Sequence, residues 1–213
     1  MLKVYNWATP GPYEKLAEDN AAKSYELSKV KIETIKIEGV GNWCENTCLK
    51  PQVALQAISR LKQGELCILI DADAYVSKEP EWRECTGMFG FVRWRRPSSG
   101  ALVCLSGTLL LSSSNQCKDF LEGWKSRCDL HPEIWDQAHL WESVKADTSG
   151  LITELGWQWA WMQGNSLEDQ KGAWICHDQA SRELKGQPDT APLVPSETDH
   201  DLREKTGGKR KKV

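Results

Sequence analysis

The run Leu66–Ile70, "LCILI", is apolar at five consecutive positions and then gives way to Asp71 and Asp73 in "DADAYV". A strand that alternates buried and solvated residues shows a period of two. A strand apolar at every position must be covered on both faces, which is the habit of parallel sheets flanked by helices. The rest of the N-terminal third agrees. "LKVYNWA" reads as a strand, and "TPGPY" as a turn in which Pro12 opens a helix to about Ser28. "VKIETIKI" reads as a second strand and "EGVGNWCENTC" as a loop. "KPQVALQAISRL" reads as a helix with Val53, Ala57, Ile58 and Leu61 on one face, closed by Gly64. Strand–helix alternation of this kind predicts an α/β fold with a Rossmann-like, mostly parallel sheet in a single domain. Ligands of such sheets bind beyond the carboxyl ends of the strands, where Asp71 and Asp73 stand.

The second half is less regular. "EPEWRECTGMFGFVRWRRPSSG" reads as loop-rich, and "ALVCLSGTLLL" as an apolar segment interrupted at Ser106-Gly107. "SNQCKDFLEGWKSRC" is an amphipathic helix with Cys117, Phe120, Leu121, Trp124 and Cys128 on one stripe. "HPEIWDQAHLWESVKA" reads as a helix opened by Pro132, and "LITELGWQWAW" as a strand with Trp157, Trp159 and Trp161 on one face. "AWICHDQ" reads as a short strand ending at His177. From about residue 187 to residue 213 the chain is rich in Pro and charge, as disordered tails are.

Composition excludes several classes. The net charge of −3 over 213 residues gives no steer towards nucleic acid or anionic lipid. No run approaches a membrane span, and "MLKVYNWATP" has no apolar signal core, so stable membrane insertion is not expected. The eight cysteines then read as reduced thiols of a cytoplasmic protein, several of them small buried hydrophobes. Cys44 and Cys48 in "WCENTC" have metal-like spacing, but no second pair matches them.

Two carboxylates at i and i+2 around the small Ala72 repel unless a cation sits between them. Oxygen ligands of this type suit Mn²⁺ or Mg²⁺, which also hold diphosphates. Lys50 stands at a helix start, where a cation opposes the dipole and an anionic partner would offset the cost. Arg93, Arg95 and Arg96 in "VRWRRP" could meet phosphate or acceptor, but a solvated loop is the preferred reading.

At this point the chain resembles a family. "ILIDADAYV" is similar to the Asp-x-Asp strand end of the GT-A glycosyltransferases. "KPQVALQAI" resembles their upstream lysine-bearing helix, and "LSGTLLLSSSN" the small-residue segment that lines the sugar. "WDQAHLW" resembles the Asp-Gln helix start of retaining enzymes related to glycogenin and bacterial lipopolysaccharide galactosyltransferases. "WICHDQASRELKG" resembles their closing strand, although it lacks the usual Gly and the Lys-Pro-Trp ending. The resemblance covers residues 1–186, a nucleotide-binding half (1–76) and an acceptor and sugar half (77–186).

The resemblance implies a metal-dependent hexosyltransferase-like enzyme that uses a nucleotide-diphosphate sugar, with a UDP-sugar as the expected donor and retention as the expected outcome. The acceptor (glycan, lipid, protein or nucleic acid) stays open. Asp71, Asp73 and His177 would hold Mn²⁺ or Mg²⁺. Tyr13, Lys50, Asp71, Ala72, Asp73, Ser106, Gly107 and Lys185 would bind the donor, with Tyr13 on the base and Lys185 on the diphosphate. Asp136 would bind sugar hydroxyls, and Gln137 would stabilise positive charge on the sugar. Two alternatives stand beside this reading: a sugar-phosphate nucleotidyltransferase, for which "YNWATPGPYEK" lacks a Gly-rich basic loop, and a non-catalytic carbohydrate- or nucleotide-binding module.

Overall fold

The computed structural model describes residues 2–81, 87–95, 100, 102–162 and 167–178. These fall in one compact unit, Met1–Gln179. The expected charged tail, Lys185 and Arg96 lie outside the described residues.

The N-terminal third folds as the alternation predicts: β1 (Lys3–Ala8), α1 (Pro12–Ser28), β2 (Ile32–Lys36), α3 (Lys50–Ser59) and β3 (Leu66–Ile70). Between β2 and α3 the expected loop contains a short helix, α2 (Trp43–Thr47). Its cause is local. The Asn42 side chain accepts from the amides of Cys44 and Glu45 while Glu45 reaches back to the Asn42 amide, a capping box. Gly64, at φ 82°, makes the left-handed turn from α3 into β3.

Then follow β4 (Ala74–Val76), β5 (Phe89–Arg95), β6 (Leu102–Ser112), α4 (Asn115–Leu130), α5 (Asp136–Ala146), β7 (Ile152–Leu155), β8 (Trp161–Met162), α6 (Leu167–Gly172) and β9 (Ile175–His177). Several expectations are corrected here. Part of the segment read as loop-rich is the strand β5, because "FGFV" is buried between β6 and β7. The helix α5 starts at Asp136, four residues after Pro132. The expected tryptophan strand breaks after Leu155. A 3-10 turn spans Trp157–Trp159 and leaves Trp157 exposed while Trp159 and Trp161 are buried, so the three do not share a face.

The main sheet has the order β2-β1-β3-β6-β5-β7. The pairs β1–β2, β1–β3 and β5–β7 are parallel, and β6 runs antiparallel to both of its neighbours. A smaller sheet has the order β4-β9-β8. Alternate residues of β3 enter different cores. Cys67 and Leu69 pack with Val53, Ala54 and Ala57 of α3 and with Leu121 and Trp124 of α4. Ile68 and Ile70 pack on the other face with Val76, Leu110 and Ile175. That two-sided burial is why "LCILI" carries no polar position.

The helix α1 fastens the chain that follows β3. Asn20, buried, donates from Nδ2 to the carbonyl of Ala72 at 2.9 Å, and the Val76 amide donates to Ser24 Oγ at 2.9 Å. Asn20→Ala leaves the Ala72 carbonyl without that donor. The expected loss is about 1–3 kcal/mol, the range for a buried unsatisfied group, read as a lower urea midpoint with unchanged m-value.

Candidate active site

At the carboxyl end of β3 the chain turns sharply, with the Ala74 amide donating to the Asp71 carbonyl at 3.1 Å, and then enters β4. β4 pairs antiparallel with β9 in a register that sets Ala74 opposite His177. The Asp178 amide donates to the Asp73 carbonyl at 2.9 Å. Two short strands of the smaller sheet therefore carry His177 back over the Asp-x-Asp turn from more than a hundred residues away. One ligating atom of each of Asp71, Asp73 and His177 lies within 4.8 Å of the others.

The strand β6 supplies the floor. In its ladder with β5, Phe91 pairs with Leu109 but Val92 pairs with Leu105, so Ser106, Gly107 and Thr108 oppose no residue of β5. This is a bulge at the point where "LSGTLLL" was read as interrupted, and bulges of this kind re-aim side chains beside functional sites. The Gly107 carbonyl accepts from the Asp71 amide at 3.0 Å. A Cβ on Gly107 would lie 2.8 Å from His177 Cε1, 3.2 Å from His177 Nδ1 and 3.1 Å from Asp71 Oδ2. Only a residue without a side chain lets these two approach over β6.

Thr108 Oγ1 sits 2.9 Å from His177 Nε2. With that nitrogen held by the hydroxyl, Nδ1 faces the carboxylates, 3.9 Å from Asp73 Oδ1. Tyr13, half-buried, lies close enough to Asp73 and Asp71 that its hydroxyl is pushed above the usual tyrosine range, chiefly by burial and then by the two charges.

Lys50 meets the anionic partner its helix-start position calls for, and that partner is a pair of carboxylates. The lysine is buried at the first position of α3, 4 % exposed. Its Nζ lies 2.9 Å from Asp71 Oδ1, 3.2 Å from Asp136 Oδ2 and 3.1 Å from Ser106 Oγ. Burial pulls its pKa down most strongly, but Asp136 and Asp71 together outweigh burial and hold the ammonium above the ordinary lysine range. Asp71 Oδ1 also accepts from Trp7 Nε1 at 3.2 Å, which leaves Oδ2 as the oxygen over Gly107. Asp136 is fixed from behind, where its carbonyl accepts from Trp124 Nε1 at 3.0 Å. Gln137 follows it, half-buried, in the first turn of α5.

The structure thus brings together Lys50, Asp71, Ala72, Asp73, Ser106, Gly107, Asp136 and His177, with Tyr13 beside them. The arginines expected in a solvated loop are otherwise engaged: Arg93 pairs with Glu154 across β5 and β7, and Arg95 donates to the Gly100 carbonyl. Sequence reading missed Trp7, Asn20 and Thr108. The signal for Trp7 was its place at the carboxyl end of β1, next to β3 in a parallel sheet. Thr108 had none short of the bulge geometry.

Three carboxylates against one ammonium leave two uncompensated negative charges, which is the complement of a divalent cation. Two carboxylates and an imidazole form an oxygen-rich set that fits Mn²⁺ or Mg²⁺. Lys50→Met removes the one cation that pairs, among the described residues, with these two buried or half-buried carboxylates. The expected destabilisation is about 3–5 kcal/mol, the range for breaking one partner of a buried pair. Adding Asp136→Asn to Lys50→Met recovers part of the loss, which a double-mutant cycle in urea reads directly.

Comparison with known proteins agrees with this architecture. No protein-family profile matches the sequence, and no curated protein matches it by sequence. Solved structures do match by fold. A glycosyltransferase involved in the glycosylation of the major capsid of PBCV-1 superposes with a TM-score of 0.65 at 12% identity, over 86% of this chain and 97% of that one. The galactosyltransferase LgtC, solved with donor and acceptor sugar analogs, superposes with a TM-score of 0.53 at 11% identity, over 96% of this chain and 100% of that one. The glycosyltransferase GlyE of Streptococcus pneumoniae TIGR4 gives 0.54 at 12% identity, over 83% of this chain and 55% of that one. The fold is that of the GT-A glycosyltransferases.

Proposed function

We propose that this chain is a metal-dependent glycosyltransferase that moves a sugar from a nucleoside-diphosphate sugar, a UDP-sugar, to an acceptor with retention at the anomeric carbon. The observation that carries the reading is the convergence of Asp71, Asp73 and His177 at the carboxyl end of β3 in a GT-A fold. LgtC, a structural neighbour solved with donor and acceptor sugar analogs, supports a nucleotide-sugar donor.

Asp71, Asp73 and His177 are the residues that would hold Mn²⁺ or Mg²⁺. When bound, such a cation acts as a Lewis acid on the diphosphate and stabilises the leaving nucleoside diphosphate. The chain's own groups do the rest. Tyr13 offers a ring beside the Asp-x-Asp turn on which a base can stack. Ser106 and Gly107 give a surface with little side-chain bulk where the sugar would lie. Asp136 is assigned to the sugar hydroxyls, and Gln137 to the stabilisation of positive charge building on the ring. Lys50 serves as a positioning residue. It holds Asp71 and Asp136 at a fixed separation, so the metal end and the sugar end of the donor are read by one rigid unit. Lys185 is assigned to the diphosphate on sequence resemblance only.

The test is UDP release from a panel of UDP-sugars, with and without Mn²⁺. Release is expected to require the cation and to fall at least about 100-fold in Asp73→Asn, at or beyond the upper end of the penalty for altering an outer-shell partner. Pyrophosphate release from a sugar phosphate and a nucleoside triphosphate would replace this reading with a nucleotidyltransferase. Mn²⁺-dependent UDP binding without turnover on any donor or acceptor would replace it with a binding module.

Gly107→Ala probes the floor separately. Its new methyl group forces His177 and Asp71 apart, so Mn²⁺ affinity measured by isothermal titration should drop about 10–100-fold. Unchanged affinity would remove Gly107 from the site.

A further inference from the structure

A second cluster of ligating side chains lies beside the segment that leads into Asp136, and the proposed transfer does not use it. Cys48 follows α2, Cys128 is in the last turn of α4, and His139 is one turn into α5. All three are buried, and one ligating atom of each lies within 4.8 Å of the others. His139 Nε2 sits 2.9 Å from the carbonyl oxygen of His131. A carbonyl only accepts, so Nε2 carries the proton and Nδ1 keeps its lone pair. A backbone carbonyl on the far nitrogen is the outer-shell contact that fixes metal-ligating imidazoles.

We propose that Cys48, Cys128 and His139 form a second cation site, of sulfur and nitrogen character, that takes Zn²⁺. Two thiolates and one imidazole select zinc over the hard cations that suit the Asp-x-Asp turn. Two thiolates balance the charge of Zn²⁺, so the occupied site buries no net charge. Ligand atoms of a tetrahedral zinc shell stand roughly 3.5–3.8 Å apart on the known bond lengths, so from separations within 4.8 Å the cluster needs to close by about 1.3 Å at most. The fourth position is left to a backbone carbonyl of residues 131–135 or to water. Binding releases the two thiol protons to solvent, so affinity falls as the pH falls.

The placement gives the site a consequence. Residues 131–135 lead directly into Asp136, and side chains of this region already hold them. Cys48 Sγ is 3.0 Å from the Ile134 carbonyl, Cys44 Sγ is 3.2 Å from the Glu133 carbonyl, and His139 binds the His131 carbonyl. Zinc at this cluster ties α4, α5 and the start of α3 together two residues from Lys50.

Cobalt titration of the full-length, fully reduced protein tests the proposal independently of any activity. The expected result is a thiolate-to-cobalt charge-transfer band with strong tetrahedral d–d absorption, saturating at a single equivalent and bleached by Zn²⁺. The band should vanish in Cys128→Ser and persist in Asp73→Asn. Absence of the charge-transfer band in wild type, with the cysteines counted as free thiols by thiol titration, would overturn the proposal. So would a band that survives Cys128→Ser or disappears in Asp73→Asn. The wild-type titration decides the matter even where a cysteine variant folds poorly.

Discussion

The buried ammonium of Lys50 is the contact on which the candidate site depends. It joins Asp71, at the end of β3, to Asp136, at the start of α5, from its own place at the start of α3. Three elements far apart in sequence meet through one charge. A lysine in that position is held against two penalties, desolvation and the positive end of a helix dipole, and two carboxylates offset both. Without it the two acids would repel each other in a poorly solvated place. With it, one oxygen of Asp71 is committed to Lys50 and Trp7, and the other is left over Gly107 beside His177.

The remaining geometry follows from short pieces of backbone. The bulge in β6 takes Ser106–Thr108 out of the ladder with β5, and Gly107 removes the bulk that would separate Asp71 from His177. The three-residue strands β4 and β9 fix which residue of the closing segment lies over the Asp-x-Asp turn. The second cluster, Cys48, Cys128 and His139, bears on the segment that leads into Asp136. Asp136 is thus held through its side chain by Lys50 and through its carbonyl by Trp124.

Much of this was legible in sequence because the N-terminal third obeys simple periodicity. "LCILI" has no polar position because both faces are covered, and Pro12 and Pro51 mark the starts of their helices. The acids Asp71 and Asp73 stand out because they end such a strand. The second half resisted the same reading for physical reasons. β5 carries Gly90 among its apolar residues and arginines in its second half, so its apolar stretch looks like loop. The tryptophans at 157, 159 and 161 alternate in sequence, but Gly156 precedes a 3-10 turn that ends the period-two geometry. The role of Lys50 was legible only as a need for an anion. Which anion it meets depends on long-range packing of α3 against β6 and α5. Cys48 could not be paired with Cys128 and His139 from spacing, because the three lie on different elements.

The central claim is that Asp71, Asp73 and His177 hold a divalent cation while Lys50 keeps Asp71 and Asp136 in place. A crystal structure of the full chain with Mn²⁺ and UDP, phased at the manganese edge, tests it most directly. The account predicts an anomalous peak bonded to Asp71, Asp73 and His177 and to the diphosphate, with Lys50 still bridging Asp71 and Asp136. A nucleotide-bound structure with the manganese elsewhere, or with Lys50 swung onto the phosphates and the bridge broken, would contradict it.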